Sequence, residues 1–136
     1  MARILVIEDN AANMKLATLL LRSAGHTVLC ASDAEAGVSL ARDQLPDLIL
    51  MDVQLPGMDG LAATTLLKQD PVIGATPIIV LTAMAMKADR EKGEAAGCDA
   101  YIAKPLRYKE LYAAIDLLLP HDASPAPATT RALSAP

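Results

Sequence analysis

No stretch of this 136-residue sequence concentrates Lys and Arg, and 12 basic residues stand against 16 acidic ones for a net charge of −4. That balance excludes the electrostatic footprint of a DNA- or RNA-binding chain. Long apolar runs are missing too: none approaches the ~20 residues of a membrane helix. The N-terminal Met1-Ala2-Arg3-Ile4-Leu5-Val6-Ile7-Glu8 meets an acidic residue too soon for a secretory signal. A cytoplasmic protein with no nucleic acid and no membrane as partner is the expectation. The two cysteines, Cys30 and Cys98, have neither a CxxC partner nor a neighbouring His pair, which argues against a thiolate metal site and leaves reduced core thiols. Aromatics are scarce: Trp and Phe are absent, and the three Tyr all fall between residues 101 and 112.

What is abundant is apolar, at 53% of residues, enough for the single core that a chain of this length can bury. Short runs of Ile, Val and Leu alternate with longer segments of helical period. This is the pattern of strands covered on both faces by helices. Strands are predicted at Ile4–Ile7, Thr27–Cys30, Leu48–Met51, Ile78–Leu81 and Ala100–Ile102. The first helix places Met14, Ala17, Leu20, Leu21 and Ala24 on one face and stops at Gly25. The second starts with a capping box at Ser32-Asp33-Ala34-Glu35. The third runs from about Met58 to Lys68, and the fourth from Met86 to Ala96. The fifth carries Tyr108, Leu111, Tyr112, Ile115 and Leu119. A repeated strand-helix unit needs right-handed crossovers, hence a doubly wound α/β fold with a five-stranded parallel sheet. The Pro- and Ala-rich stretch over residues 120–136 shows no period and is expected to be a disordered tail with no output domain.

In such sheets chemistry lies beyond the carboxyl ends of the strands. There the apolar runs give way to polar residues: Glu8-Asp9 after the first, Asp52 after the third, Thr82 after the fourth and Lys104-Pro105 after the fifth. Singly, an Asp or Thr after a strand is a turn or a helix cap. Together they make one acidic pocket whose like charges repel unless cations join them. Lys104 supplies one positive charge. An all-oxygen donor set without His or Cys selects Mg²⁺ for the rest. A carboxylate in such a pocket is a candidate phosphoryl acceptor, and Asp52, at the end of the central run, is the best fixed of the three.

At these residues the sequence resembles the receiver domains of bacterial two-component response regulators. The matching pieces are ILVIEDN, DLILMDVQLPGMDG, PIIVLTAMA and AYIAKPL, and the resemblance spans about residues 3–119. Within that family it looks most like stand-alone DivK-type receivers and receivers attached to hybrid kinases. The resemblance implies a flavodoxin-like, CheY-like fold with strand order 2-1-3-4-5 and five helices. It implies that Asp52 takes a phosphoryl group from the phosphohistidine of a histidine kinase or histidine phosphotransfer protein. Mg²⁺ would be held by Asp9, Asp52 and the backbone carbonyl of Gln54, with Glu8, where many receivers have Asp, acting through water. It implies a cis Lys104-Pro105 bond and a switch made of Thr82 and Tyr101. That switch would remodel the fourth helix, fifth strand and fifth helix as the face for a downstream protein target or a weak homodimer. Gln54 and Met84 stand where the family tunes hydrolysis. Met84 cannot orient an attacking water, so a long-lived phosphorylated state is expected.

The reading is therefore a phosphoacceptor switch in a phosphorelay rather than an enzyme with turnover. One alternative makes the chain a receiver cut from a larger hybrid kinase or multidomain regulator. Another makes it a Mg²⁺-dependent phosphohydrolase with an aspartyl-phosphate intermediate; such enzymes place a second Asp two residues after the nucleophile, where this chain has Gln54.

Overall fold

The computed structural model describes residues 2–55, 57–82 and 87–119; Met84, Met86 and the expected tail from Pro120 lie outside them. Along the described residues run β1 (Arg3–Ile7), α1 (Ala11–Ser23), β2 (Thr27–Ala31), α2 (Ala34–Gln44), β3 (Leu48–Asp52), α3 (Gly60–Gln69), β4 (Ile78–Thr82), α4 (Lys87–Ala96), β5 (Ala100–Ala103) and α5 (Tyr108–Leu118). The strands pair in parallel, in the order β2-β1-β3-β4-β5. This is the doubly wound, flavodoxin-like sheet expected from the sequence.

The central strands LILMD and IIVLT are buried along their whole length, because alternate side chains leave the sheet on opposite faces and both faces are covered. On one face Ile49, Met51, Ile78 and Val80 meet Ala34, Val38 and Ala41 of α2 and Ala63 and Leu67 of α3. On the other, Leu48, Leu50, Ile79 and Leu81 meet Ala17 and Leu21 of α1 and Leu111 and Ile115 of α5. Truncating any of these large side chains to Ala would cost about 2–5 kcal/mol, because the cavity left behind closes only in part.

Several local expectations are corrected. The N-cap of α2 is Asp33, whose Oδ1 accepts the Ala36 N–H at 2.7 Å, and not Ser32. The Asp side chain is one residue nearer the first turn and competes better for its free amide. The third helix begins at Gly60 rather than Met58, since Asp59 caps it by accepting the Ala62 N–H at 2.8 Å. The first helix stops at a left-handed Gly25, φ 92°, as expected, but Ala24 is its exposed C-cap and not part of the packed face. Cys30 is exposed and so is no core thiol, whereas Cys98 is half-buried and packs against the core. Cys30 lies on β2, an edge strand with one neighbour, where the burial that holds for β3 does not extend. Tyr108 is exposed, touching Tyr112 edge-to-face at 6.0 Å, while the Tyr112 hydroxyl donates to the Leu20 carbonyl of α1 at 2.8 Å.

Candidate functional site

Parallel pairing puts the carboxyl ends of all five strands along one edge of the sheet. Glu8 and Asp9 follow β1, Asp52 closes β3, Thr82 closes β4 and Lys104 follows β5. The ladder continues past the apolar side chains, because backbone hydrogen bonds do not depend on side-chain polarity. The Glu8 N–H donates to Ala31 O at 3.0 Å, Val53 N–H to Leu81 O at 3.0 Å, and Lys104 N–H to Thr82 O at 2.7 Å. Asp52 is thus a strand residue in register with Leu81, and Thr82 is one in register with Ala103. The acceptor candidate is held by its own strand rather than by a loop.

Glu8, Asp52 and Thr82 are 3%, 2% and 6% exposed, while Asp9 faces solvent. Carboxylate oxygens of Glu8, Asp9 and Asp52 lie within 4.8 Å of one another. Lys104 Nζ reaches Asp52 Oδ2 at 3.0 Å and Glu8 Oε1 at 3.4 Å. The other oxygens draw on backbone amides: Gln54 N–H donates to Asp52 Oδ1 at 3.1 Å and Asn10 N–H to Glu8 Oε2 at 3.2 Å. Burial, reinforced by the Asp52 carboxylate, pushes the Glu8 carboxyl up to about 7 against the pull of the Asn10 amide and Lys104. For Lys104, burial works against the charge, but the bond and field of Asp52, then of Glu8, prevail and raise its pKa. One ammonium therefore serves two buried acids with a third beside them.

This donor set fits a small hard cation. It is all oxygen, and among the described residues the buried Glu8 Oε1 has the long ion-pair contact to Lys104 and no hydrogen-bond partner. Of the remaining expected positions, Gln54 is exposed with its amide committed to Asp52. Tyr101 is half-buried on β5 in register with Val80, its hydroxyl oxygen shielded from solvent. Lys104-Pro105 is cis. Met84 is outside the described residues.

Sequence reasoning missed some neighbours of the site. Asn13 and Leu106, with Glu8, Leu81 and Lys104, line a cavity of about 70 Å³ beside the acids. Helical period placed Asn13 only as a polar residue of α1, and no spacing signal could bring it to Lys104 across the chain. Gly60, first residue of α3, lies against the backbone of Asp52, a closeness that its place inside the predicted third helix did not signal.

The model of the response regulator receiver domain matches residues 4–116 of this chain. The polar-differentiation response regulator DivK of Brucella anthropi is 43% identical over 103 residues, covering 76% of this chain and 84% of DivK. Among solved structures, the receiver domain of the sensor histidine kinase PA1611 from Pseudomonas aeruginosa, with a magnesium ion coordinated in its active-site cleft, is 38% identical with a TM-score of 0.81. The match covers 86% of this chain and 96% of that one. The chemotaxis protein CheY4 of Vibrio cholerae is 25% identical with a TM-score of 0.83, over 88% of this chain and 99% of that one. With the fold, the strand-end acids and these likenesses in agreement, the chain belongs to the response regulator receiver domain family.

Proposed function

We propose that this protein is a single-domain, cytoplasmic switch in which Asp52 accepts a phosphoryl group from the phosphohistidine of a histidine kinase or histidine phosphotransfer protein. The observation that carries the reading is the buried Asp52 carboxylate, gripped by the Gln54 amide at 3.1 Å and Lys104 at 3.0 Å amid two further acids. In the transfer, the P–N bond of the donor breaks with its electron pair returning to the imidazole, and a P–O bond forms to an Asp52 oxygen. Lys104, freed from one carboxylate charge, pairs with the phosphoryl oxygens, and the Thr82 hydroxyl donates to one of them. Asp9, Asp52 and the Gln54 carbonyl would hold Mg²⁺, with Glu8 acting through water; the magnesium reported for the PA1611 receiver supports this assignment. When bound, the ion neutralises charge on the transferring group.

The likeness to DivK over most of DivK's length supports a stand-alone regulator whose output is protein contact. In this reading Thr82 moves to the phosphoryl group, Tyr101 repacks beside it, and the face formed by α4, β5 and α5 changes its affinity for a target protein. Met84, with neither a carboxylate nor an amide to orient an attacking water, leaves the acyl phosphate slow to hydrolyse. The deciding experiment is intact mass after incubation with Mg²⁺ and acetyl phosphate. One phosphoryl adduct on the parent and none on Asp52→Asn is expected. An unmodified parent, or an adduct that survives the substitution, would overturn the assignment.

A further inference from the structure

Gly60 opens α3, yet alanine is the better helix former by about 1 kcal/mol in a helix interior. The reason for glycine lies across the gap to β3. A Cβ on Gly60 would overlap the Asp52 carbonyl oxygen and lie 2.8 Å from both the Asp52 carbonyl carbon and the Val53 Cα. These are backbone atoms and cannot swing aside. At the same place the Gly60 N–H donates to Val53 O at 2.8 Å, and on the opposite side the Val53 N–H donates to Leu81 O at 3.0 Å. The segment leaving β3 is therefore held between β4 and the first residue of α3. Its next amide, Gln54 N–H, is the one that fixes Asp52 Oδ1.

Gly37 of α2 offers the contrast. A Cβ there also meets a crowded space, but the atoms belong to the Ile7 side chain, Cδ1, Cγ1 at 2.7 Å and Cγ2 at 3.1 Å, and not to backbone. That side chain can repack; the Asp52 carbonyl cannot move without taking the site with it.

We propose that Gly60 is a positioning residue for the acceptor. By leaving room for the Asp52 carbonyl, it lets α3 clamp the Asp52–Gln54 segment in the geometry that orients the Asp52 carboxylate and presents the Gln54 carbonyl. The inference rests on Asp52 as the acceptor, and the coupling is reciprocal: a ligand held by the segment tightens the Gly60 clamp.

The test compares Gly60→Ala with Gly37→Ala in the full chain by amide NMR, first metal-free and then during Mg²⁺ titration. Gly60→Ala is expected to shift the Gln54 amide resonance and speed its hydrogen exchange in the metal-free protein, and to weaken Mg²⁺ binding at least tenfold. Gly37→Ala is expected to lower the melting temperature and leave both readouts at the site within twofold. Gly60→Ala with an unmoved Gln54 amide and parental Mg²⁺ affinity would overturn the proposal. Should Gly60→Ala not fold, the parent decides: slowed exchange at the Gly60 amide on Mg²⁺ binding supports the clamp, and an unchanged rate refutes it. If the parent binds no Mg²⁺ and gains no phosphoryl group, the functional reading fails, while the metal-free Gln54 amide still judges the clamp.

Discussion

The two edges of the sheet carry charge in opposite ways. At the amino ends of the strands, several charges have structural partners. The Arg3 guanidinium donates to Gln44 O and Oε1 at 2.7 and 2.9 Å, and Asp47 Oδ2 accepts the Arg3 N–H at 2.8 Å. Asp99 Oδ2 accepts the Ile78 N–H at 2.9 Å and pairs with Lys68 at 2.7 Å. Asp70 takes the Val72 and Ile73 amides and Arg42 Nε, and these contacts hold its carboxyl below the usual carboxylate range. At the carboxyl ends, two buried acids share one ammonium beside a third acid, and a buried Glu8 oxygen has no hydrogen bond among the described residues. One edge uses charge to close loops onto the sheet. The other concentrates uncompensated charge where a cation and a phosphoryl group would be received.

That contrast separates stability from function, and mutations should separate them in turn. The largest effect on ligand binding is expected from Asp9→Asn, which removes one acid from the cluster. The Mg²⁺ dissociation constant should rise at least tenfold, a loss of about 1.4 kcal/mol, with no fall in melting temperature because like-charge repulsion is relieved. A lower melting point with unchanged Mg²⁺ affinity would erase the distinction between the edges.

The mirror experiment is Asp99→Ala. It strips the acceptor from the Ile78 amide at the start of the buried β4 and the ion-pair partner from Lys68, which keeps the Thr76 carbonyl at 2.8 Å, at a cost of about 1–3 kcal/mol. For a domain of this size that is a drop of several degrees in melting temperature. Mg²⁺ affinity measured on the same sample should stay within about twofold, since a tenfold change would need a further ~1.4 kcal/mol of coupling to the site.

The smallest effect concerns pH. Neutral His26 accepts the Ala2 N–H on Nδ1 at 3.1 Å, and burial lowers its pKa below 6.5, with Asp116 pulling the other way. As pH falls below 6.5 the unfolded chain takes up a proton before the folded one does, so this residue's contribution is full above 6.5 and declines toward its folded pKa. Comparing parent with His26→Gln cancels the titration of the shared carboxylates. The parent's melting temperature should fall relative to the variant's between pH 7.5 and pH 5; parallel curves would show that His26 does not titrate between the two states.

Much of this was legible because buried parallel strands write themselves as unbroken Ile, Val and Leu. The site was legible because those runs stop at polar residues on the same edge. The predicted apolar bounds stop one residue short of Asp52 and Thr82, which close their strands, since the backbone ladder continues where hydrophobicity ends. Cys30 was misjudged because an edge strand shares the composition of a central one but not its coverage. The Ser32 box failed because two capping residues stood side by side and only local geometry chose Asp33. Asn13 and Gly60 join the site through contacts between segments far apart in sequence or through backbone crowding, neither of which leaves a periodic trace.

The ladder bond from Lys104 to Thr82 also has a consequence during synthesis. The acids of β1 and β3 emerge from a ribosome long before the lysine that answers them, and domains settle as units once their last strand is available. Until β5 has docked on β4, the nascent chain has the strand-end carboxylates but no assembled pocket. The pocket is thus completed only with the final strand, and an incomplete translation product lacks the lysine that pairs with its acids.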